Sequence, residues 1–384
     1  MTTQEVIKRI AELVARPSVS SASPAYDMSN LAVIVLLESW LKPLGFAVNV
    51  VQVASAPDKY NLIATAGSGD EGLILSGHTD TVPFDPERWT SDPLTLTKRD
   101  GCLYGLGVAD MKCFFALALA AVEDLDLARL RQPLTILATA DEESSMSGAR
   151  YLTNHSELLP GKHVVIGEPT GLVPINRHKG VVWLSLRVDG RAGHASDPSL
   201  GLNAIEGIHA VIGELMNWRN ALATRYADTN FGVPHPTMNF GVVEGGDNPN
   251  RICAQCTLQI DMRIVPAMTA ASVMTELQVV AEQALAATDY KVTLTPLIDP
   301  VPALATSGDS PVVRFAEEVT GQAARTVAFG TEGPFFNALG KDTVILGPGD
   351  IAVAHQADEY LQIDRIEPSV RILRKFIEHF CLEG

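Results

Sequence analysis

The sequence has few cysteines, few aromatic residues and no long apolar run, and each scarcity excludes a class of protein. Its 384 residues include five cysteines, an odd and scattered set that suits reduced thiols better than a disulfide framework. No segment approaches the roughly 20 apolar residues that span a bilayer, and residues 1–20 predict an amphipathic helix, not a signal peptide. We therefore expect a cytoplasmic protein that makes no membrane contact.

Basic residues are also scarce. Lys and Arg number 29 against 45 Asp and Glu, so the net charge is −16 at pH 7. Such a chain repels nucleic acids and anionic membrane surfaces, and we expect neither as a partner. The sequence also lacks the G-x-S-x-G motif of a serine hydrolase, and no Gly-Lys-Ser/Thr follows its glycine-rich segments. Serine hydrolysis and a phosphate-binding loop are therefore disfavoured.

The chain does contain four short apolar runs that each lead to histidine or acid side chains. Continuous β-branched and leucine runs are typical of buried parallel strands. Because ligands bind beyond the carboxyl ends of such strands, we expect these side chains to line one cleft. The runs and the residues that follow are 73–75 with His78 and Asp80, 134–137 with Asp141, Glu142 and Glu143, 163–166 with Glu168, and 344–346 with His355.

The length favours two domains. Helix and strand patterns alternate in the outer parts of the chain, which indicates an α/β fold with a mostly parallel sheet. Since His355 belongs to the last part, residues 1–177 and 295–384 are predicted to form one catalytic domain. The inserted residues 178–294 have the predicted element order β-α-β-β-α-β, which is ferredoxin-like. Their exposed edge strands favour a dimerisation or lid role in a homodimer. Residues 66–70 are expected to form a hairpin turn.

Several acids stand where isolated charges are costly. Asp141, Glu142 and Glu143 would repel one another and raise each other's pKa unless a cation lies among them, although a solvated loop would tolerate them. Asp80 follows His78 by two residues and can accept the second ring N–H of a metal-bound histidine, although a chance turn has the same spacing. Asp110, between a glycine-rich turn and an apolar run, could equally be a helix N-cap.

Taken jointly, two histidines and three carboxylates suit a pair of zinc ions, each with mixed nitrogen and oxygen ligands and with one acid shared. Cobalt or manganese can share such donors. Cys253 and Cys256 are not expected to bind metal, because residues three apart on a strand face opposite sides. Buried thiols are expected there instead.

The motifs GHTDTVP, YGLGVADMK, ATADEE, GEPT and AHQADE run in order through the chain and resemble the M20 metallopeptidase family. The resemblance implies a metal-dependent amidohydrolase with a cis peptide after Asp110. It also implies a role for each polar residue: His78 and Glu168 hold one zinc, Glu143 and His355 hold the other, Asp110 bridges the two, Asp80 orients His78, and Glu142 is the general base and acid.

The resemblance extends to residues that contact substrate. It implies that His194 polarises the scissile carbonyl, often in the active site of the partner subunit. It also implies substrate contacts from Asn250, Arg263, Thr331 and Glu332, with Arg263 suited to a carboxylate and Glu332 to an ammonium group. The stretches GHASDP and GGDNPNRICAQC are similar to the branch that deacetylates N-acetyl-L-ornithine in arginine biosynthesis.

Two alternatives stay open. The same motifs would serve succinyl-diaminopimelate desuccinylation or broader hydrolysis of N-acyl amino acids and dipeptides. A non-catalytic protein that kept the fold is a further alternative, and the presence of Glu142 with all five predicted ligands argues against it.

Overall fold

The computed structural model describes residues 1–56 and 58–382. Its α-helices are α1 (Thr3–Val14), α2 (Leu31–Leu41), α3 (Cys113–Val122), α4 (Ser147–Thr153), α5 (Ala204–Arg225), α6 (Ala270–Ala284), α7 (Pro311–Thr320), α8 (Gly333–Ala338) and α9 (Ile366–Ile377). None of the helices in these ranges combines the length and apolar character that crossing a bilayer requires.

The strands follow the same numbering in chain order. They are β1 (Ala47–Gln52), β2 (Tyr60–Ala66), β3 (Leu73–His78), β4 (Thr97–Arg99), β5 (Cys102–Tyr104), β6 (Leu134–Thr139), β7 (His163–Pro169), β8 (Ile175–His178), β9 (Gly180–Asp189), β10 (Thr237–Gly245), β11 (Gln255–Ile264), β12 (Lys291–Pro296), β13 (Leu304–Ala305), β14 (Arg325–Val327), β15 (Asp342–Gly347) and β16 (Tyr360–Gln362).

The chain divides into two compact units. The first contains residues 1–176, 306–325 and 331–384, and the second contains residues 177–305 and 326–330. Residues 295–305 and 326–330, which the sequence places with the outer segments, therefore pack with the second unit. The catalytic and dimerisation roles of the two units stay predictions.

The first unit is built on a sheet in the order β1-β2-β6-β3-β7-β15. Strands β6, β3, β7 and β15 run parallel to one another, whereas β1 and β2 are antiparallel additions at one side. Every residue of β3, β6 and β7 is buried, as expected for strands that are covered on both faces. The predicted mostly parallel α/β sheet is confirmed.

The connection between β2 and β3 differs from the prediction. Strand β6 lies between them, antiparallel to β2 and parallel to β3. A hairpin joins two neighbouring antiparallel strands, so the hairpin turn predicted at residues 66–70 is wrong. The local glycine pattern indicates a turn but does not reveal which strand pairs with which.

Helix α3 packs against the sheet at a glycine. All of its residues are buried, and it is formed by the alanine-rich sequence CFFALALAAV. Gly167 in β7 makes the close approach possible, because a Cβ at that position would lie 2.1 Å from Cδ2 of Phe114. The start of α3, and Asp110 just before it, are thereby held against the strand ends.

The second unit has the element order β9-α5-β10-β11-α6-β12 and an antiparallel sheet in the order β10-β11-β9-β12. This is the ferredoxin-like arrangement that the sequence predicts. Alternate residues of β11 are buried against α5 and α6, which gives this unit its own hydrophobic core. Cys253 and Cys256 belong to that core, as predicted.

Candidate metal centre

The predicted polar residues of the first unit follow neighbouring parallel strands. His78 ends β3, residues 141–143 follow β6, Glu168 lies near the end of β7, and His355 follows β15 through a short loop. Because the strands are parallel and in register, with His78 opposite Thr139, their carboxyl ends meet at one edge of the sheet.

His78 is buried, and both of its ring nitrogens have partners. Nε2 lies 3.1 Å from Oδ1 of Asp110 and 3.8 Å from Oε1 of Glu168. Nδ1 lies 3.0 Å from the main-chain oxygen of Asp80 and 3.7 Å from its Oδ1. Since a carbonyl oxygen only accepts, Nδ1 carries a proton, and Nε2 is the ring nitrogen that faces the acids.

The carboxylate of Asp80 has a different principal contact from the one expected. Its Oδ1 accepts the backbone N–H of Glu142 at 3.2 Å, and its Oδ2 accepts that of Glu143 at 3.1 Å. The main chain of Asp80 is thus nearer to His78, while its side chain holds the acid pair. Asp80 therefore joins the end of β3 to the turn after β6.

Asp110 lies between the two histidines. Its Oδ1 faces His78, and its Oδ2 lies 3.4 Å from Nε2 of His355. Nε2 of His355 is also 3.0 Å from Oε1 of Glu143. The Asp110–Met111 peptide is cis, as the resemblance implies. This placement suits a carboxylate that bridges two cations.

Two groups of side chains have ligand atoms that all lie within 4.8 Å of one another. One is His78, Asp110 and Glu143, and the other is His78, Glu142 and Glu168. The grouping differs in detail from the predicted ligand sets, because Glu142 lies with His78 and Glu168. His355 joins the first group through its contacts with Glu143 and Asp110.

The electrostatics of the centre reflect crowded, buried acids. Burial, followed by the charge of Glu168, raises the pKa of Glu142 well above its usual value. Burial and the charge of Asp110 raise the pKa values of Glu168 and Glu143. Buried carboxylates at this spacing repel one another unless a positive charge lies among them. A mixed nitrogen and oxygen donor set with surplus negative charge therefore fits divalent cations such as zinc.

The pKa values of both histidines are also raised, in their case by the surrounding acids. Burial opposes a charge on His78, but its hydrogen bond to Asp110 and the charge of Glu168 hold its pKa well above the usual value. Hydrogen bonds to Asp110 and Glu143 raise the pKa of the half-exposed His355 to about 10. Without metal, protons on these rings balance part of the acid charge.

Thr331 and Glu332 are both buried in the first unit. Oε2 of Glu332 accepts a hydrogen bond from Oγ1 of Thr139 at 2.8 Å, and Oε1 has no hydrogen-bond partner among the residues described. Burial raises the pKa of Glu332 to about 7. Its predicted contact with a substrate ammonium stays a prediction.

The other three predicted substrate residues belong to the second unit. His194 and Asn250 are exposed, and Nδ1 of His194 lies 2.7 Å from Oγ of Ser196. Arg263 donates two hydrogen bonds to the carboxylate of Asp261, at 2.9 and 3.0 Å. The bidentate geometry expected for a substrate carboxylate is therefore occupied by a neighbour on the same strand, and the three roles stay predictions.

The sequence does not predict the supporting contacts of two further carboxylates, Asp141 and Glu359. Asp141 accepts hydrogen bonds from the hydroxyls of Ser20, Ser144, Ser145 and Ser147, so the acid next to Glu142 is saturated with donors. Glu359 accepts three backbone N–H groups near Asp110. The serine-rich run after residue 143 is a sequence signal for the first, whereas Glu359 ends the AHQADE motif, which does not by itself indicate its backbone partners.

The fold and this cluster define a metal-dependent amidohydrolase. The chain belongs to Peptidase family M20/M25/M40: the model of this family matches residues 74–379. It is 46% identical over 375 residues to an acetylornithine deacetylase of Pasteurella multocida, covering 98% of each chain. It is also 46% identical over 376 residues to an acetylornithine deacetylase of Proteus mirabilis, covering 98% of this chain and 97% of that one.

Solved structures share the fold at lower identity. A tripeptidase of Staphylococcus aureus superposes with a TM-score of 0.76 at 22% identity, covering 99% of both chains. A dinuclear metal-binding M20 peptidase of Bacillus subtilis superposes with a TM-score of 0.70 at 14% identity, covering 98% of both. At these identities the likeness establishes the fold.

Proposed function

We propose that this protein hydrolyses N-acetyl-L-ornithine to L-ornithine and acetate with a pair of zinc ions, a step of arginine biosynthesis. The observation that carries the proposal is its 46% identity, over nearly its whole length, to a protein named acetylornithine deacetylase. The cluster of histidines and carboxylates at the sheet edge supports the metal-dependent chemistry.

Five residues would hold the cations: His78, Asp110, Glu143, Glu168 and His355. Divalent cations bound there supply Lewis-acid chemistry, which acidifies water and stabilises the negative charge of the transition state. Cobalt would suit the same nitrogen and oxygen donors.

Glu142 is the proposed general base and acid. It takes a proton from the attacking water as the water oxygen bonds to the acetyl carbon. It then delivers that proton to the ornithine nitrogen as the carbon–nitrogen bond breaks. The second proton of the water stays on the acetic acid product, which ionises to acetate. Its burial supports the role, because a carboxyl group with a raised pKa can hold a proton between the two steps. His194 is the proposed donor to the carbonyl oxygen.

A cavity of about 490 Å³ lies beside His355 in the first unit. Its walls include Phe84, Arg88, Trp89 and Gln356, so it offers both apolar and polar contacts. Small-molecule sites commonly have volumes of about 300–1,000 Å³. The cavity therefore supports a small acylated amino acid as substrate.

A cytoplasmic homodimer is part of the proposal. Strand β10 is an edge of the second unit's sheet, and Val242 and Val243 on it are exposed. Exposed apolar groups on an unpaired edge favour association with another chain. Sedimentation of the purified protein at a mass near 41 kDa would argue against the dimer.

The test of the reaction is a substrate panel. The protein is stripped with a chelator, reloaded with Zn²⁺ or Co²⁺, and assayed on N-acetyl-L-ornithine, N-succinyl-diaminopimelate, N-acetyl-methionine and a dipeptide. We expect the highest kcat/KM for N-acetyl-L-ornithine and no turnover after chelation. A higher kcat/KM for the succinyl substrate would replace the proposed activity with desuccinylation.

A further inference from the structure

Glu359 is a buried carboxylate, 2% exposed, that lies four residues after His355. Its Oε1 accepts the backbone N–H groups of Ala109 at 2.7 Å and Asp110 at 3.0 Å, and its Oε2 accepts that of Gly107 at 3.0 Å. Its own main-chain oxygen accepts the N–H of Gly105 at 3.1 Å. One residue thus satisfies four donors of the segment 105–110.

These contacts depend on pairing between distant parts of the chain. Strand β16, which begins at Tyr360, pairs antiparallel with β5, and Tyr360 lies opposite Tyr104. The residue before Tyr360 is therefore placed beside the residues after Tyr104. Glu359 in this way ties the segment that carries Asp110 to the segment that carries His355.

The carboxylate of Glu359 cannot be replaced by an amide without loss, because every group that contacts its two oxygens is a hydrogen-bond donor. A backbone N–H cannot become an acceptor, so the site requires oxygen atoms at both carboxylate positions. A glutamine would turn an NH₂ group toward at least one buried N–H. The two would repel each other, and the segment would have to move.

We propose that Glu359 is a positioning residue for the metal pair: it fixes the main chain at Asp110 so that the two carboxylate oxygens of Asp110 face His78 and His355. The inference rests on the proposed metal centre and is independent of the substrate. Groups that orient metal ligands through hydrogen bonds typically alter metal affinity by about 10- to 100-fold when they are replaced.

The test compares Glu359→Gln with a matched control, Glu317→Gln. Oε1 of Glu317 also accepts a backbone N–H, that of Ala324 at 2.7 Å, in helix α7 of the same unit. Both metal-free variants and the wild type are titrated with Co²⁺ against a competing chelator, and the visible absorption of bound Co²⁺ is recorded. Thermal unfolding of each metal-free protein is measured in parallel.

We expect Glu359→Gln to weaken Co²⁺ binding by about 10- to 100-fold and to change the Co²⁺ spectrum, whereas Glu317→Gln leaves both unchanged. Wild-type Co²⁺ affinity and spectrum in Glu359→Gln would overturn the proposal, even with a lowered Tm, because the role would then be structural alone. If that variant does not fold, Glu359→Asp takes its place: it keeps the charge and shortens the side chain by one methylene, and the same loss of affinity is expected.

Failure of the proposed reaction and failure of this inference give different experimental results. A wild type that binds two Co²⁺ ions but does not cleave N-acetyl-L-ornithine would contradict the proposed substrate and leave this inference standing. A wild type that binds no Co²⁺ would overturn both.

Discussion

Carboxylates a few ångströms apart differ sharply in their affinity for protons, because their immediate partners differ. Burial raises the pKa of Asp110, but hydrogen bonds from His355 and His78 outweigh it and hold the pKa below its usual value. Glu142 lies beside Glu168 instead, and its pKa is raised. Asp110 is thus kept charged between the two histidines, whereas Glu142 is suited to carry a proton.

The division of roles between Glu142 and its neighbour Glu143 can be tested by two substitutions. Glu142→Gln should retain both metals and lose kcat by about 10²–10⁴-fold or more, because the amide cannot take a proton from water. Glu143→Ala should lose one metal, because it removes a ligand. Elemental analysis and steady-state kinetics on the same preparations separate the two outcomes. A Glu142→Gln enzyme of near-normal rate would contradict the role as base.

At the scale of secondary-structure elements, the position of Asp110 depends on how closely helix α3 approaches the sheet. The approach is possible because Gly167 presents no side chain to Phe114. The segment before α3 is held from the other side by Glu359. The proposed bridging ligand is therefore placed by packing on one side and hydrogen bonds on the other.

Gly167→Ala should lower the free energy of unfolding by about 1–3 kcal/mol, because the added methyl group overlaps the Phe114 ring and forces α3 away from the strand. Gly213→Ala is the matched control: it lies within α5, where a Cβ would meet nothing within 4 Å. That change should stabilise the protein by about 0.5–1 kcal/mol, since alanine favours a helix. Urea unfolding measures both. Equal effects of the two changes would show that α3 is not tightly constrained.

At the scale of the whole molecule, the surplus of acids couples stability to pH and to metal. Glu332 has a pKa raised by burial from 4.5 to about 7. A raised acid pKa means that the folded state binds the proton more tightly than the unfolded chain does. The stabilisation is therefore complete below pH 4.5 and is lost as the pH rises through about 7.

The metal-free protein should accordingly lose stability between about pH 5 and pH 8, and Glu332→Gln should lose less over the same window. A shift of this size corresponds to a difference of up to about 3 kcal/mol. Urea unfolding of the metal-free wild type and variant at a series of pH values measures the difference. Parallel pH profiles would show that Glu332 does not titrate in this range.

Metal should stabilise the folded protein, because the unfolded chain has no assembled centre. A ligand at 100 times its Kd contributes about 2.7 kcal/mol. We therefore expect Zn²⁺ to raise the Tm of the chelated wild type, and to raise that of Glu143→Ala by less. A Tm that does not respond to Zn²⁺ at any concentration would contradict the metal centre.

The sequence alone was sufficient for features that depend on neighbours along the chain. Apolar runs followed by His78, the acids at 141–143, and Glu168 predict parallel strands that end in ligands, because burial on both faces demands such runs. The order of elements in residues 178–294 likewise predicts the ferredoxin-like sheet. These patterns are local, so periodicity and spacing report them directly.

Only the tertiary structure decided how distant segments meet. It put β6 between β2 and β3, turned the Asp80 carboxylate to the main chain of the acid pair, buried Glu332, and set Glu359 against the segment that carries Asp110. Each of these depends on strand pairing or packing across many residues. Such contacts are chosen by the free energy of the whole assembled core, and no short stretch of sequence records them.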